Sequence, residues 1–416
     1  MKIFRKALLA VFLLFTVGIH AQGTIKTMVY NVLDFPSAYP PNRAEILRDI
    51  LNEYDPDIFM ICELQNEYGA HLILDISLNS QAEKYKMAPF IPSQSGDLDH
   101  QQLIFYRKGM FTLENSEAIP TPVRDVNYYQ LKLSTADQDI DPINFEIFVT
   151  HLKSSQGTAN KQLRLEMVET FTNRLETMDP NAFVLFAGDM NFYTHTEPGY
   201  QELLDPTNNI VMADPIDRPG SWNNKPEFQD IHTQSTRLSS GPFGAGAGGG
   251  LDDRFDFIFI SENMKTEPKL KYVSETYKAF GNNGNCFDNS INSPDCAGEF
   301  SQTLRDNLYN FSDHLPVVMD LETNKQIVLG TQDFVKDISF ILESTMVSDE
   351  LNIRLGSNVS EIVSFEVYNV IGQKLVEKPM QNRQYLSIDV SALSKGIYYL
   401  KSNLPNSPTI KFLKTS

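Results

Sequence analysis

Carboxylates, carboxamides and histidines recur in the first three quarters of the sequence, most of them directly after a short apolar run. Glu63 follows the run 58–62, and Asp189 and Asn191 follow the run 183–187. Hard divalent cations prefer carboxylate and amide oxygens, and a histidine held by a carboxylate transfers protons. Such a set can activate a water molecule and neutralise a phosphoryl group, so it predicts hydrolysis of phosphate esters. The other residues of this kind are Asn31, His151, Asp256, Asp313 and His314.

Each of these residues also has an ordinary structural explanation. Glu63 is typical of a solvated strand end, His151 of a hydrogen-bonded structural histidine, and Asp189-Met190-Asn191 of a turn. Their occurrence in chain order, at the ends of successive apolar runs, favours a shared site, because rigid scaffolds commonly present functional residues where strands give way to loops.

The elements that must position these residues alternate between strand-like and helical patterns. Residues 43–53 carry apolar side chains at helical spacing, and 162–175 is the clearest predicted helix. This alternation predicts an α/β catalytic domain over residues 23–322. The predicted strands are 27–30, 58–62, 102–106, 145–150, 183–187, 255–260 and 316–321.

The sequence after residue 322 has a different pattern. Residues 323–340 are predicted to be a linker, and 341–416 a small all-β domain, because short alternating runs such as Val363, Phe365 and Val367 are separated by turn residues. The tail contains no histidine and no clustered carboxylates. We expect it to carry no chemistry.

The N-terminus predicts export. Lys2, Arg5 and Lys6 precede an apolar run at 7–18, which is typical of a cleaved signal peptide over residues 1–21. An N-terminal membrane anchor is the alternative, but the run is shorter than the roughly 20 residues that cross a bilayer. No later segment is long and apolar enough to be a stable membrane span.

The three cysteines fit an exported protein without making it a disulfide scaffold. Cys286 and Cys296 lie in a polar, Asn-rich stretch and are candidates for a disulfide that closes a small surface loop. Cys62 lies in an apolar run and is predicted to be buried in the core.

Composition bounds the substrate only loosely. The 416-residue chain is 41% hydrophobic and 21% charged, which is typical of globular proteins with more than one folded unit. Its net charge of −18 disfavours tight electrostatic binding to nucleic acid, although a bound cation can reverse that locally. The Gly-rich stretch 241–250 lacks the Lys-Ser/Thr ending of a P-loop and is predicted to be a surface loop rather than a phosphate cradle.

Taken jointly, the motifs resemble the endonuclease/exonuclease/phosphatase superfamily, which includes deoxyribonuclease I, abasic-site endonucleases, neutral sphingomyelinases and inositol polyphosphate 5-phosphatases. The resemblance covers residues 24–321 and implies a two-sheet α/β sandwich flanked by helices. It is carried by Tyr-Asn-Val at 30–32, Cys-Glu-Leu at 62–64, Thr-His-Leu-Lys-Ser at 150–154, Gly-Asp-Met-Asn at 188–191 and Ser-Asp-His at 312–314.

The resemblance implies a cation on one side of the site. Glu63 matches the main metal ligand, with Asn31 on the metal side and Asp313 near the metal or the water. The implied cation is Mg²⁺ or Mn²⁺, with Ca²⁺ as an alternative.

It implies proton transfer on the other side. His314 matches the proton-transfer histidine, oriented by Asp256, while Asp189 and Asn191 match the pair that positions the water and the scissile phosphate. His151 matches a second histidine that abasic-site enzymes tend to lack, so a DNA-repair role is disfavoured.

These roles predict a secreted, divalent-metal-dependent phosphoesterase, first of all an extracellular nuclease with nucleic acid as substrate. A phospholipid (sphingomyelinase-like) or sugar-phosphate phosphoesterase is the second hypothesis. A secreted binding module that keeps the fold is the third, and the intact set of site residues argues against it.

The tail resembles the C-terminal sorting domains of the type IX secretion system. Val-Tyr-Asn at 367–369 with Gly372, the segments 389–393 and 396–401, and the ending 411–414 carry this resemblance, while the usual Pro-Asn-Pro start is missing. A carbohydrate-binding or adhesive β-module is the alternative. A sorting domain implies the type IX secretion machinery as partner and a secreted or cell-surface location; the sequence leaves the oligomeric state open.

Overall fold

A computed structural model describes residues 23–328 and, beyond them, 340–342, 344, 346–355, 363–370, 372–380, 385–403 and 409–415. The predicted signal peptide, 1–21, and residues 329–339 of the predicted linker lie outside the described residues. The chain divides into two compact units: the larger contains the described residues 23–79 and 84–328, and the smaller contains residues 80–83 with the described residues from 340 onward.

The larger unit contains a seven-stranded sheet in the order β11-β13-β1-β2-β4-β3, with β12 also paired to β13. β1 and β2 are parallel, whereas β13 and β4 join them antiparallel. The strands are β1 (Gly23–Phe35), β2 (Ile58–Leu64), β3 (Tyr85–Met87), β4 (Gln101–Arg107), β11 (Lys271–Tyr272), β12 (Lys278–Ala279) and β13 (Val317–Thr323).

Its second sheet has six strands in the order β5-β6-β7-β8-β10-β9. β7 and β8 are parallel, and β10 pairs antiparallel with β8. The sequence pattern missed β5 and β6; half-exposed and exposed residues alternate irregularly along β5, so it lacks a clear period. The strands are β5 (Phe111–Ile119), β6 (Val126–Leu133), β7 (Asn144–His151), β8 (Phe183–Asp189), β9 (Met212–Ala213) and β10 (Asp256–Ser261).

Helices flank the two sheets. α1 (Arg43–Tyr54) and α5 (Gln302–Phe311) contact each other and bury Leu47, Leu308 and Phe311 in the same core as β1. α3 (Thr158–Leu175) packs on the other sheet, where Phe171 stacks on Phe186 at 4.0 Å between ring centroids. The shorter helices are α2 (Glu67–Leu72), continued by a π-helical turn (Ile73–Leu78), and α4 (Pro198–Leu203), with 3₁₀ turns at Pro226–Phe228, Glu262–Lys265 and Pro294–Cys296.

The two sheets pack face to face, since β1 contacts β8 and β10 while β2 contacts β7 and β8. Their facing side chains are apolar and almost fully buried, for example Val29 on β1, Ile147 on β7 and Ile258 on β10. This arrangement confirms the predicted two-sheet α/β sandwich. It also brings the ends of β1, β2, β7 and β8 to one place.

Cys286 and Cys296 are joined by a disulfide, and Cys62 is buried and free. In the described part of the chain, no helix combines the length and the apolar character needed to cross a membrane.

Beyond residue 339, the regular elements of the described residues are all strands, which confirms the predicted all-β domain. Its sheets have the orders β14-β16-β19 and β15-β21-β20-β17-β18 around a core that includes Leu351, Phe365, Val367 and Leu400. The strands are β14 (Phe340–Leu342), β15 (Met346–Val347), β16 (Glu350–Leu355), β17 (Val363–Asn369), β18 (Lys374–Met380), β19 (Tyr385–Asp389), β20 (Gly396–Ser402) and β21 (Ile410–Lys414).

Candidate active site

Strand register places the predicted residues side by side. His151 at the end of β7 pairs with Asp189 at the end of β8, and Asp189 pairs on its other side with Asp256 at the start of β10. In the facing sheet, Asn31 of β1 pairs with Cys62 of β2. The two sheets therefore present their polar residues at the same edge of the sandwich.

The β8 residue before Asp189 has to be glycine. Gly188 has φ +144°, and a Cβ there would lie 1.8 Å from the carbonyl oxygen of Thr150 on β7. The backbones of β7 and β8 are thus in close contact directly beneath the site. This contact explains the glycine of the Gly-Asp-Met-Asn motif.

The backbone of the first sheet is irregular where it meets the site. Leu33, Asp34 and Glu63 have positive φ values of 41°, 44° and 62°, and the β1–β2 register shifts after Asn31. Non-glycine residues in this region cost about 1–3 kcal/mol each and tend to occur at functional sites. The distortion lets the Asp34 amide donate to Glu63 Oε2 at 3.2 Å.

Arg43 stabilises the irregular end of β1 through its buried side chain. Its buried guanidinium donates to the carbonyl oxygens of Val32, Leu33 and Phe311, the last two at 2.8 and 2.9 Å. The carbonyls of a distorted strand have lost their usual partners, and a buried charged donor satisfies them. α1, which carries Arg43, thereby fixes the end of β1 that contains Asp34.

Asn31 links the two sheets. Its Nδ2 donates to Glu63 Oε1 at 2.8 Å and to Asp189 Oδ2 at 3.1 Å, while its Oδ1 accepts from the Leu33 amide at 3.0 Å. In this orientation Asn31 acts as a hydrogen-bond donor that positions both carboxylates. Its expected place on the metal side stays a prediction.

His314 and Asp256 form a buried pair. His314 Nδ1 lies 2.7 Å from Asp256 Oδ2, and the residues are 2% and 0% exposed. Burial opposes charge on the imidazole, but the nearby carboxylates of Asp256, Asp189 and Asp313 outweigh it and hold the pKa of His314 well above its usual value. The other ring nitrogen, Nε2, lies 3.6 Å from Asp189 Oδ2.

Asp189 is held by Asn191, as the motif suggests. The side-chain amide of Asn191 donates to Asp189 Oδ1 at 2.8 Å, and its backbone amide donates to the same oxygen at 3.2 Å. Burial, together with the charges of Asp256 and Glu63, raises the pKa of Asp189. One oxygen, Oδ2, is left facing Asn31, His151 and His314.

His151 lies between the two carboxylates. Its Nε2 is 3.4 Å from Asp189 Oδ2 and its Nδ1 is 3.7 Å from Glu63 Oε1. Burial, reinforced by the positive charge of Arg124, holds the pKa of His151 well below its usual value, so its neutral form is favoured. A neutral imidazole can ligate a cation or accept a hydrogen bond.

Asp313 holds the Gly-rich loop (residues 241–250) against the site. Asp313 Oδ2 accepts from the Ala247 amide at 2.6 Å and from Gln234 Nε2 at 3.1 Å. Gly246 has φ +84°, and a Cβ there would come within 2.9 Å of the Asp313 carboxyl carbon. The loop is therefore more than the free surface loop that its composition suggests, and the expected place of Asp313 near the metal or water stays a prediction.

Sequence reasoning missed a second histidine cluster. His100 Nε2 lies 3.1 Å from Asp34 Oδ1, and its Nδ1 lies 2.8 Å from Asp97 Oδ2, which accepts from Arg124 Nε at 2.8 Å. The hydrogen bond to Asp34 is the main cause that raises the pKa of His100 to about 9. His100 directly precedes β4, and the antiparallel pairing of β4 with β2 aligns Gln101 with Leu64. A predicted pairing of these two strands would therefore have placed His100 near Glu63.

The donor atoms suit a divalent cation. Glu63 belongs to two groups of possible ligands. One contains Glu63, His151 and Asp189, and the other contains Glu63, Asp34 and His100; within each group the ligand atoms lie within 4.8 Å of one another. Carboxylate oxygens suit Mg²⁺ and Mn²⁺, and imidazole suits first-row transition metals.

The tail matches a known family. Residues 347–413 match the model described as the secretion system C-terminal sorting domain. This match confirms the predicted sorting domain and indicates export to the cell surface or the extracellular space. No curated protein matches the chain.

Comparison with solved structures gives matches at low identity. They include TDP2 of D. rerio complexed with a single-strand DNA product (18% identity, TM-score 0.46, 72% of this chain and 99% of that chain). The human Nocturnin catalytic domain with bound sulfate matches at 15% identity and TM-score 0.43, over 72% and 97% of the chains. An endonuclease/exonuclease/phosphatase from Beutenbergia cavernae matches at 13% and 0.43, over 94% and 99%. Because sequence identity to these proteins is low, the geometry of the site carries the functional conclusion.

Proposed function

We propose that the larger unit is an exported, divalent-cation-dependent phosphoesterase that hydrolyses phosphodiester bonds in nucleic acid. One observation carries this proposal: the buried His314–Asp256 pair faces Asp189, and Asn31 ties Asp189 to Glu63 across the two sheets. A proton-transfer pair and a cation-binding set thus converge on one small volume, and each draws residues from both sides of the sandwich.

Glu63 and Asp189, with His151, are the residues that would hold the catalytic cation. A cation bound there supplies Lewis-acid chemistry, which polarises a phosphoryl oxygen and stabilises the charge that develops on it. Carboxylates held by amide donors suit this task, because the hydrogen bonds from Asn31 and Asn191 fix their orientation.

Proton transfer falls to the buried pair. Asp256 accepts from Nδ1 of His314, which fixes the ring, and Nε2 lies 3.6 Å from Asp189 Oδ2 and 2.6 Å from the side-chain amide of Gln234. With its pKa raised, His314 is a proton donor at neutral pH and can donate from Nε2 to an oxygen that gains negative charge. Asp189 Oδ2 faces the same volume, so an oxygen that would hold the cation lies beside the proton-transfer histidine.

Exposed aromatic residues favour nucleic acid as the substrate. Tyr39, 64% exposed, follows Asp34 by five residues, and Tyr68, 67% exposed, follows Glu63 by five. Rings on segments that leave the site can stack on bases, which contributes about 1–3 kcal/mol per base whatever the base sequence. Stacking is an attraction that the chain's net charge of −18 does not remove.

The test is a substrate panel with metal control. Mature protein stripped with EDTA is assayed with Mg²⁺ or Mn²⁺ on DNA, RNA, sphingomyelin vesicles and a soluble phosphomonoester, beside Glu63→Gln and, as control, His71→Gln on the exposed surface of α2. We expect cation-dependent cleavage of nucleic acid that His71→Gln keeps and Glu63→Gln loses. Turnover confined to lipid or phosphomonoester would refute nucleic acid as the substrate. No turnover on any of the four substrates would refute the proposed phosphoesterase activity.

A further inference from the structure

Asp34, Glu63 and His100 form a cluster that the proposed proton transfer does not use. Asp34 Oδ1 and His100 Nε2 are 3.1 Å apart, and each of the three residues offers an atom within 4.8 Å of the other two. Their side chains are 32%, 13% and 26% exposed, so ions can reach them from solvent. Imidazole, carboxylate and carboxylate is a common ligand set for divalent transition metals.

The surroundings of His100 are those of a metal ligand. Its Nδ1 is bonded to the carboxylate of Asp97, and Asp97 is held in turn by Arg124. Arg124 is itself 8% exposed and also donates to the Leu152 carbonyl oxygen at 3.2 Å. A histidine that binds a metal through one nitrogen characteristically donates the other N–H to a carboxylate, which fixes the tautomer and aims the ring. The aimed nitrogen, Nε2, faces Asp34.

The backbone supports the same arrangement. Asp34 and Glu63 adopt positive φ values, and the Asp34 amide donates to Glu63 Oε2, which brings the two carboxylates together despite their like charge. Two neighbouring carboxylates with an imidazole beside Asp34 offer a cation a mixed set of oxygen and nitrogen ligands.

We propose that Asp34, Glu63 and His100 bind a second divalent cation, and that the imidazole makes this site prefer Mn²⁺ or Zn²⁺ to Mg²⁺. The site shares Glu63 with the proposed catalytic cation, but it requires no phosphoesterase activity. Its competitor is a plain ion pair in which protonated His100 bridges Asp34 and Asp97 and binds no metal.

The experiment measures binding without substrate. EDTA-stripped full-length protein is titrated with Mn²⁺, and pulsed electron paramagnetic resonance detects ¹⁴N coupling from a ligating imidazole. Asp97→Asn should weaken the His100-dependent site about tenfold, which is the scale expected for loss of a group that orients a ligand. His100→Gln should weaken it at least as much and remove its share of the nitrogen coupling, whereas His71→Gln should match wild type. Circular dichroism confirms that each variant is folded.

The outcomes separate the two proposals. Unchanged Mn²⁺ affinity and nitrogen coupling in His100→Gln would overturn the second site, whatever the activity. If those signals change as expected but no phosphate ester is cleaved, the second site stands and the proposed function fails. Equal affinities of the His100-dependent site for Mn²⁺ and Mg²⁺ would overturn the stated preference.

Discussion

The two halves of the site are built differently. The Asp256–His314 half is buried, with both residues at most 2% exposed, and Asp256 pairs with Asp189 in regular strand register. In the Asp34–His100 half, Asp34 has left-handed backbone and both side chains are open to solvent. Proton transfer benefits from a fixed, desolvated geometry, whereas an exchangeable cation needs access and adaptable ligands. The difference fits the roles proposed above, with proton transfer at the buried pair and cation binding at the open cluster.

The largest expected effect is loss of the buried half. His314→Ala should lower kcat on the best substrate by about 10²-fold or more, the usual range for lost acid–base catalysis, with cation affinity little changed. Steady-state kinetics and Mn²⁺ titration of the same sample would test both statements. Activity close to that of His71→Ala would contradict the assignment of His314.

Loss of the open half should act on the cation instead. Glu63→Gln removes the carboxylate common to both ligand sets and should weaken cation binding by about a hundredfold, at the upper end of the range for disturbed ligand shells. The cation concentration for half-maximal activity is the quantity to measure. A fall in kcat at saturating cation, with no change in the half-maximal cation concentration, would contradict the separation of cation binding from proton transfer.

The regular register of the buried half can be tested through Gly188. Gly188→Ala would force a Cβ against the Thr150 carbonyl and should lower the free energy of unfolding by about 3 kcal/mol or more. Gly157→Ala is the matched control, since Gly157 also has positive φ but nothing lies within 4 Å of its Cβ position, so it should cost only the backbone strain of about 1–3 kcal/mol. Urea denaturation gives both values, and equal losses would mean that the close approach is not rigid.

The last prediction concerns pH. Burial raises the pKa of Asp253, in the loop before β10, to about 7. The folded protein therefore keeps a proton that the unfolded chain releases above its ordinary pKa near 4, so this group makes stability fall as pH rises from about 4 to 7. Asp253→Asn should flatten that part of the stability curve, while exposed Asp139→Asn should not. Parallel curves for Asp253→Asn and wild type would show that the buried carboxyl does not behave this way.

The sequence predicted the buried half well because that half follows strand periodicity. Asp189 and His151 come at the ends of parallel strands, and the strand beginning at Asp256 was visible as an apolar run. The α/β sandwich followed from the same pattern.

The open half was less predictable, for physical reasons. His100 precedes an antiparallel strand rather than following one, so a search of strand ends passes over it. Hydrophobic periodicity does not encode the positive φ values of Asp34 and Glu63, which bring these carboxylates together. The role of the Gly-rich loop was hidden for a similar reason, because its contact with Asp313 is made by the backbone amide of Ala247.

Asn31 gives the molecule a further property. Its single side-chain amide bonds to Glu63 in one sheet and to Asp189 in the other. The distance between Glu63 and Asp189 therefore depends on how the two sheets are aligned. A shear of the sandwich by a fraction of an ångström would disturb these bonds while leaving the hydrophobic core packed. Catalytic turnover in this protein should therefore respond to mechanical or thermal loosening between the sheets before any spectroscopic sign of unfolding.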